Sequence, residues 1–332
     1  MGDALLEVQD LVVEYAGAGR PVVAVDRVSL SLRRGEFLGL VGESGCGKST
    51  LCFAVAQLLL PPARVASGRV LFKGRDLAQI GERELRHVRW REFSVVMQSA
   101  MNALNPVMTI GAQLRDAIAA HERVAGRDAN ARAAEVLRLV GIDALHLRSY
   151  PHQLSGGMRQ RAMIAMALVF TPDLIVMDEP TSALDVVGQR ALMAQIKGLQ
   201  RRFGFAVLFV THDMSLVGRY SDRLAIMYAG QIVELGATEA IFAQPRHPYS
   251  QGLLMAFPSI SGPRQHLQGI PGQPPDLREP PAGCRFHPRC PRVLERCRTQ
   301  APPPCAPRGD DLVLCHLYTP KEAERGRLST AP

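Results

Sequence analysis

No apolar run in this sequence is long enough to cross a bilayer. The two longest, residues 51–60 and 162–170, stop at Pro61 and at Thr171-Pro172, well short of the roughly 20 residues that a membrane helix requires. The first residues do not read as a secretory leader either. Residues 1–10 carry Asp3, Glu7 and Asp10 and offer no basic stretch followed by an apolar one, so a cytoplasmic chain is expected. Zinc-finger and RNA-binding motifs are absent too, which weakens the case that a net charge of +8 signals a nucleic-acid partner. Half of that excess sits in residues 261–332, with 11 Lys/Arg against 7 Asp/Glu. A solvated basic surface accounts for it, and attraction to an anionic membrane leaflet is the sharper alternative.

What is present suits one large α/β domain with an extension. The 332 residues are 47% hydrophobic, enough to bury a substantial core. Residues 6–15 and 28–32 alternate between apolar and polar, the first with one slip in register, and read as half-buried antiparallel strands. From Glu36 the pattern becomes a continuous apolar strand (37–41), a glycine turn and a helix beginning at Lys48. Residues 109–140 carry Ala133, Val136, Leu137 and Val140 at helical spacing with Gly141 as a stop, and read as part of an inserted helical subdomain. Two further apolar runs, 174–177 and 207–210, flank an amphipathic helix around Leu192, Ile196 and Leu199, as buried parallel strands with a crossover would. The last 72 residues hold 14 of the 24 prolines and read as a separate, loop-rich extension.

Three motifs carry chemistry. Gly42-Glu43-Ser44-Gly45-Cys46-Gly47-Lys48-Ser49 fits a phosphate loop between strand and helix. Its glycines let backbone amides turn inward around phosphates, the helix start adds positive potential, Lys48 reaches the β and γ phosphates, and the Ser49 hydroxyl suits Mg²⁺. The apolar strand 174–177 ends in Asp178 and Glu179, placing one acid near a metal and the other near an attacking water. Between them, Leu154-Ser155-Gly156-Gly157-Met158 opens a helical run, with Ser155 as N-cap and two glycines leaving amides exposed to a phosphate.

In this order the motifs resemble those of the ABC ATPase family. Tyr15 matches the aromatic that stacks on adenine, and Gln98 the glutamine that senses metal and attacking water. Ser182-Ala183-Leu184-Asp185 matches the loop that crosses the dimer interface, and His212 the switch histidine. The resemblance implies an α/β P-loop NTPase: a RecA-like core with an antiparallel β subdomain and a helical subdomain at about 100–171, the whole spanning 1–260. It also implies that two such domains pair head to tail. Ser155, Gly156, Gly157 and Met158 of one would then close over ATP held by Tyr15, Gly42, Ser44, Gly45, Cys46, Gly47, Lys48, Ser49 and Thr50 of the other, with Asp185 at the interface. Mg²⁺ would be held by Ser49, Gln98 and Asp178, and hydrolysis would fall to Glu179, His212, Gln98 and Lys48.

Finer features are similar to the oligopeptide/dipeptide/nickel importer group. Met158 stands where many ABC ATPases carry glutamine, as is common in that group. Asn102-Ala103-Leu104-Asn105-Pro106, His247-Pro248-Tyr249 and Ile270-Pro271-Gly272-Gln273-Pro274-Pro275-Asp276-Leu277 look like its marker segments, the first resembling the part that meets a membrane subunit. The insert at 60–67 resembles the first of the two ATPase subunits in such importers. The partners implied are a second homologous ATPase subunit, two membrane permease subunits and, through them, an extracytoplasmic solute-binding protein, with no nucleic acid. The chain would sit peripherally on the cytoplasmic face of the membrane. Di- and oligopeptides are the expected cargo, with nickel and oligosaccharides as alternatives. ABC ATPases acting on DNA or ribosomes form another class, but those usually show a long coiled coil between phosphate loop and signature, or two cassettes. This chain has no sustained heptads there and a single cassette.

Seven cysteines remain. Cys46 and Cys52 lie in and just after the phosphate loop, where small buried side chains are ordinary. Cys284, Cys290, Cys297, Cys305 and Cys315 crowd the extension (261–332), a pattern that favours metal over disulfide in a cytoplasmic protein. Their spacing alone leaves zinc and iron-sulfur open. The stretch Gly283-Cys284-Arg285-Phe286-His287-Pro288-Arg289-Cys290-Pro291 is similar to family extensions that hold a [4Fe-4S] cluster. The resemblance implies Cys284, Cys290, Cys297 and Cys315 as ligands, with Cys305 the odd one out.

Overall fold

The computed structural model describes residues 4–17, 19–98, 103–182, 184–256, 269–306 and 311–319. Asn102 and Ala183, each part of a motif above, lie outside the described residues. Strands β1 (Ala4–Tyr15) and β2 (Val22–Arg33) open the chain as an antiparallel pair. The slip in the alternation of β1 is a β-bulge. Pairing with β2 jumps between Val8 and Leu11, and Asp10 takes a φ of 45°, the signature of an extra residue accommodated in one strand. Gly68 on the neighbouring strand allows it. With φ at +88°, a Cβ there would lie 2.5 Å from the Asp10 carbonyl oxygen.

Strand β3 (Phe37–Val41) is buried at every residue and leads into α1 (Lys48–Val55). There follow β4 (Ala63–Phe72), β5 (Arg75–Asp76), α2 (Glu82–Val88) and β6 (Phe93–Val96). The insert at 60–67 lengthens β4, so that Ala63 pairs with Tyr15. The first sheet is four-stranded, in the order β2-β1-β4-β5. The expected helical stretch is two helices, α3 (Ile110–Ala119) and α4 (Gly126–Leu139), with α5 (Gly156–Leu168) after them. Thr109 caps α3 by accepting the Ala112 N–H, and α4 buries Ala133, Val136 and Leu137.

The remainder runs through β7 (Leu174–Asp178), α6 (Val186–Phe203), β8 (Ala206–Val210), α7 (Met214–Tyr220), β9 (Arg223–Tyr228) and β10 (Gln231–Ala237). It ends with α8 (Thr238–Ala243), α9 (Pro248–Met255) and β11 (Leu312–Val313). The second sheet has the order β11-β10-β9-β3-β8-β7-β6. Strands β9, β3, β8, β7 and β6 are parallel, and β10 and β11 are an antiparallel edge. A parallel sheet covered on both faces must be apolar on both. In β3, Phe37 and Val41 enter the core shared with the helices, while Leu38 and Leu40 enter the core shared with β1, β2 and α1. β11 comes from the proline-rich region, so the tail supplies an edge strand to the central sheet. Among the described residues no helix is long and apolar enough to cross a membrane.

Candidate active site

The chemistry-bearing residues converge because four parallel strands end at one level. Leu40 of β3 pairs with Val210 of β8, Val210 with Asp178 of β7, and Val96 of β6 with Met177. The chain that leaves each strand therefore emerges on the same edge of the sheet, the usual place for a ligand in an open α/β fold. The phosphate loop follows β3, Gln98 follows β6, Glu179 follows β7 and His212 follows β8.

In the phosphate loop Gly47 has φ +106°, and a Cβ there would lie 2.1 Å from the Ala24 carbonyl oxygen. Only glycine can bring the loop that close to β2. Lys48, 7% exposed, turns its ammonium back into the loop and donates to the carbonyls of Gly42 (2.8 Å) and Glu43 (3.0 Å). The Tyr15 hydroxyl lies 3.0 Å from Thr50 Oγ1, which fixes the end of β1 beside the first turn of α1.

Asp178 is 2% exposed. Burial raises its carboxyl pKa above the usual value, the Ser49 hydroxyl works against this, and the neighbouring Glu179 raises it further. Its Oδ1 is buried without a hydrogen-bond partner. An orphaned carboxylate oxygen beside a serine hydroxyl is a donor set suited to a hard divalent cation such as Mg²⁺. Glu179 has a φ of 46°, sparsely populated by residues other than glycine, and the Val210 carbonyl, 2.9 Å from its N–H, holds it there. Gln98 Nε2 donates to Glu179 Oε2 at 2.7 Å, and His212 Nδ1 lies 3.2 Å from Oε1. An ionised carboxylate can only accept, so His212 carries its proton on Nδ1 in that state. Three residues separated by 81 and 33 positions thus form one constellation.

The signature segment lies on the helical part of the molecule. Ser155 is the N-cap of α5, its hydroxyl accepting the Met158 N–H at 3.3 Å, and it is exposed. Asp185 caps α6 by accepting the Gly188 N–H at 2.7 Å. The next two residues, Val186 and Val187, are 63% and 78% exposed.

Behind the phosphate loop stands a layer that the motifs did not reveal. His247 caps α9, its Nδ1 accepting the Tyr249 N–H at 3.0 Å. The rings of Tyr228, Tyr249 and Phe286 meet at centroid distances of 4.5, 5.2 and 5.5 Å. Arg285 donates to Asp26 Oδ2 at 2.6 Å and to the Ala229 carbonyl. Arg289 forms a two-pronged pair with Glu43. Arg285 lies 259 positions beyond Asp26 and Arg289 lies 246 beyond Glu43, and no local pattern ties one to the other.

The cysteines of the tail divide into two sets. The Cys284 thiol is pushed up to about 11, chiefly by burial; a hydrogen bond from the Phe286 backbone works against this, and Cys297, Cys315 and Cys290 add to the rise. Cys290 and Cys315 are raised by burial as well, and each has a backbone hydrogen bond from two residues on, Arg292 and Leu317. These four thiols lie within electrostatic reach of one another. Cys305 turns elsewhere: its Sγ is 3.6 Å from the Pro303 carbonyl, and its backbone pairs with Val313. Among the described residues no three His, Cys, Asp or Glu side chains are gathered closely enough to hold a single metal ion.

Comparison with known proteins places the chain. The ABC transporter family profile matches residues 25–182, and that of the oligopeptide/dipeptide transporter C-terminal region matches 233–297. The dipeptide transport ATP-binding protein DppD of Bacillus subtilis is 42% identical over 98% of both chains. The oligopeptide transport ATP-binding protein OppD of Escherichia coli is 42% identical over 91% of this chain and 89% of its own. Among solved structures, a dimeric ATP-binding cassette in a post-hydrolysis state with ADP and Pi is similar at a TM-score of 0.64 and 26% identity, over 70% of this chain and 98% of that one. The chain belongs to the ATP-binding subunits of the oligopeptide/dipeptide ABC transporter family. As an ABC ATPase it couples ATP hydrolysis to transport. The second profile begins in β10 and runs through Arg285 and Arg289, so the layer behind the phosphate loop is built largely from sequence typical of this transporter family.

Proposed function

We propose that this ABC ATPase powers the import of di- and oligopeptides, working with a second homologous ATPase subunit, two permease subunits and, through them, a solute-binding protein at the cytoplasmic face of a membrane. The hydrolytic assignment rests on one observation: both oxygens of Glu179 are held, by Gln98 and His212, next to the buried Asp178. Glu179 is the base that accepts the proton of the attacking water. Gln98 and His212 orient its carboxylate, while Lys48 and the loop amides hold the β and γ phosphates. Mg²⁺ held by Ser49, Asp178 and Gln98 supplies charge to the phosphate oxygens when bound. The exposed Ser155 amide turn serves the ATP site of the partner subunit, and Asp185 lies at the interface between the two. The peptide cargo is supported by the names of the full-length relatives.

Purification of the tagged chain from detergent-solubilised membranes tests this. Two polytopic membrane proteins and a second ATPase should accompany it, and the reconstituted assembly should import labelled dipeptide only with ATP. Recovery with ribosomes or DNA instead, or uptake of nickel and not peptide, would overturn the assignment.

Cys284, Cys290, Cys297 and Cys315 are the proposed ligands of a [4Fe-4S] cluster. Their mutual reach and the backbone hydrogen bonds to three of them support this, since such bonds to sulfur are among the features that tune these centres. The cluster would be held by these four thiolates. Its role would be to order a segment with little apolar core. Anaerobically prepared protein should hold about four iron and four sulfide per chain. Cys297→Ser should lose them and Cys305→Ser should keep them, and zinc in their place would refute the cluster.

A further inference from the structure

Glu43, in the first turn of the phosphate loop, is held by every polar group it has. Its N–H donates to Tyr249 Oη at 3.0 Å, and its carbonyl accepts from Lys48 Nζ at 3.0 Å. Its carboxylate oxygens accept from Arg289 Nη1 and Nη2 at 2.7 and 2.9 Å. Arg289 is fixed in turn: Nε donates to the Pro271 carbonyl at 2.8 Å and Nη1 to Tyr228 Oη at 3.3 Å. The Arg289 side chain is 6% exposed and that of Glu43 24%, so little water screens the pair. A planar guanidinium gripping a carboxylate by two parallel bonds fixes orientation as well as distance.

We propose that Arg289 is a positioning residue of the ATP site, acting through Glu43. It neutralises a carboxylate that would otherwise stand unpaired beside a bound triphosphate, and it holds the turn whose two carbonyls, those of Gly42 and Glu43, receive Lys48. Loss of the guanidinium leaves a partly buried anion next to a polyanion site, where like charges are costly. The effect falls on nucleotide affinity, because Arg289 touches neither Glu179 nor its holders. The segment between Cys284 and Cys290 thereby becomes part of the ATP-binding apparatus.

The proposal rests on residues 42–50 being the phosphate-binding loop, which Lys48→Ala tests separately by abolishing tight binding. The purified full-length subunit is titrated with a fluorescent ATP analogue, and kcat and KM are measured in the assembled transporter. Arg289→Gln should raise Kd and KM roughly tenfold with kcat changed less than about twofold. In a Glu43→Gln background the same change should add less than about twofold, because the charge it compensates is gone. Arg289→Lys keeps the charge and most of the volume but not the fork, and should weaken binding about threefold; it also serves if Arg289→Gln does not fold. Unchanged affinity in both Arg289 variants, an equal loss in either Glu43 background, or a fall in kcat as large as the fall in affinity would each overturn it.

Discussion

At the strand ends, Asp178 closes β7 and Glu179 and His212 follow β7 and β8, two strands whose residues are all buried. Their positions are set by main-chain ladders that the sheet would form with other side chains in these places. Between residues 270 and 319 the ladders are almost gone: the described part holds a two-residue strand and short 3-10 turns. Side chains hold it instead, Arg285 on Asp26, Arg289 on Glu43, and Phe286 among Tyr228, Tyr249 and His247. A site carried by the sheet is as stable as the core itself. A segment held by a few side chains can open while the core stays folded.

The largest effect that would sharpen this contrast is chemical. Glu179→Gln should lower turnover by about 10² to 10⁴ while ATP binding persists, because the base is lost and the sheet that places it is not. Single-turnover hydrolysis at the wild-type rate would remove Glu179 from the mechanism. Next comes Phe286→Ala, which should cost about 3–5 kcal/mol, since the ring is 2% exposed and packed on three others. Hydrogen exchange should show the loss first in β11 and residues 270–306, with β3, β7 and β8 still protected. Equal loss of protection in both regions would mean that they unfold as one unit and would end the distinction.

A smaller effect depends on pH. Burial pushes the His247 pKa down to about 3, against about 6.5 in an unfolded chain. Between these values the unfolded chain binds the extra proton, so stability falls as pH drops below 6.5, with a slope approaching ~1.4 kcal/mol per pH unit. Above 6.5 the group contributes nothing to the pH dependence. His247→Asn can keep the cap to Tyr249 without the titration, so its urea midpoint should fall less between pH 6.5 and 5 than that of the wild type. Smallest is Ser155→Ala, which removes the cap of α5 and should cost about 1 kcal/mol by thermal melting. A loss several times larger would show that Ser155 holds more than its own helix.

Much of the sheet-borne region was legible because its signals are local. The shift from alternation to a continuous apolar run at 37–41 gave the buried strand, and the β1 slip turned out to be the bulge at Asp10. Leu192, Ile196 and Leu199 do line the buried face of the crossover helix. The stretch 109–140 was less clear: it reads as helical throughout, but residues 120–125 separate α3 from α4, a break that no proline marks. Strands β9 and β10 carried no motif and were not anticipated. The tail read as separate because of its prolines, yet Leu312 and Val313 pair with Leu235 and Glu234, a contact that two residues cannot announce.

Sequence by itself determined the groups whose geometry is settled within a few residues: the glycine turn of the phosphate loop, the helix start at Ser155, and the acids that end an apolar strand. Backbone conformation there follows from glycine freedom, capping and burial period, all of which are written locally. Only the tertiary structure decided that Gln98 and His212 share Glu179 and that Arg289 grips Glu43. Those pairings depend on the order in which strands stack in the sheet and on where the tail crosses it. Side chains dozens to hundreds of positions apart become neighbours through topology, which no local pattern encodes.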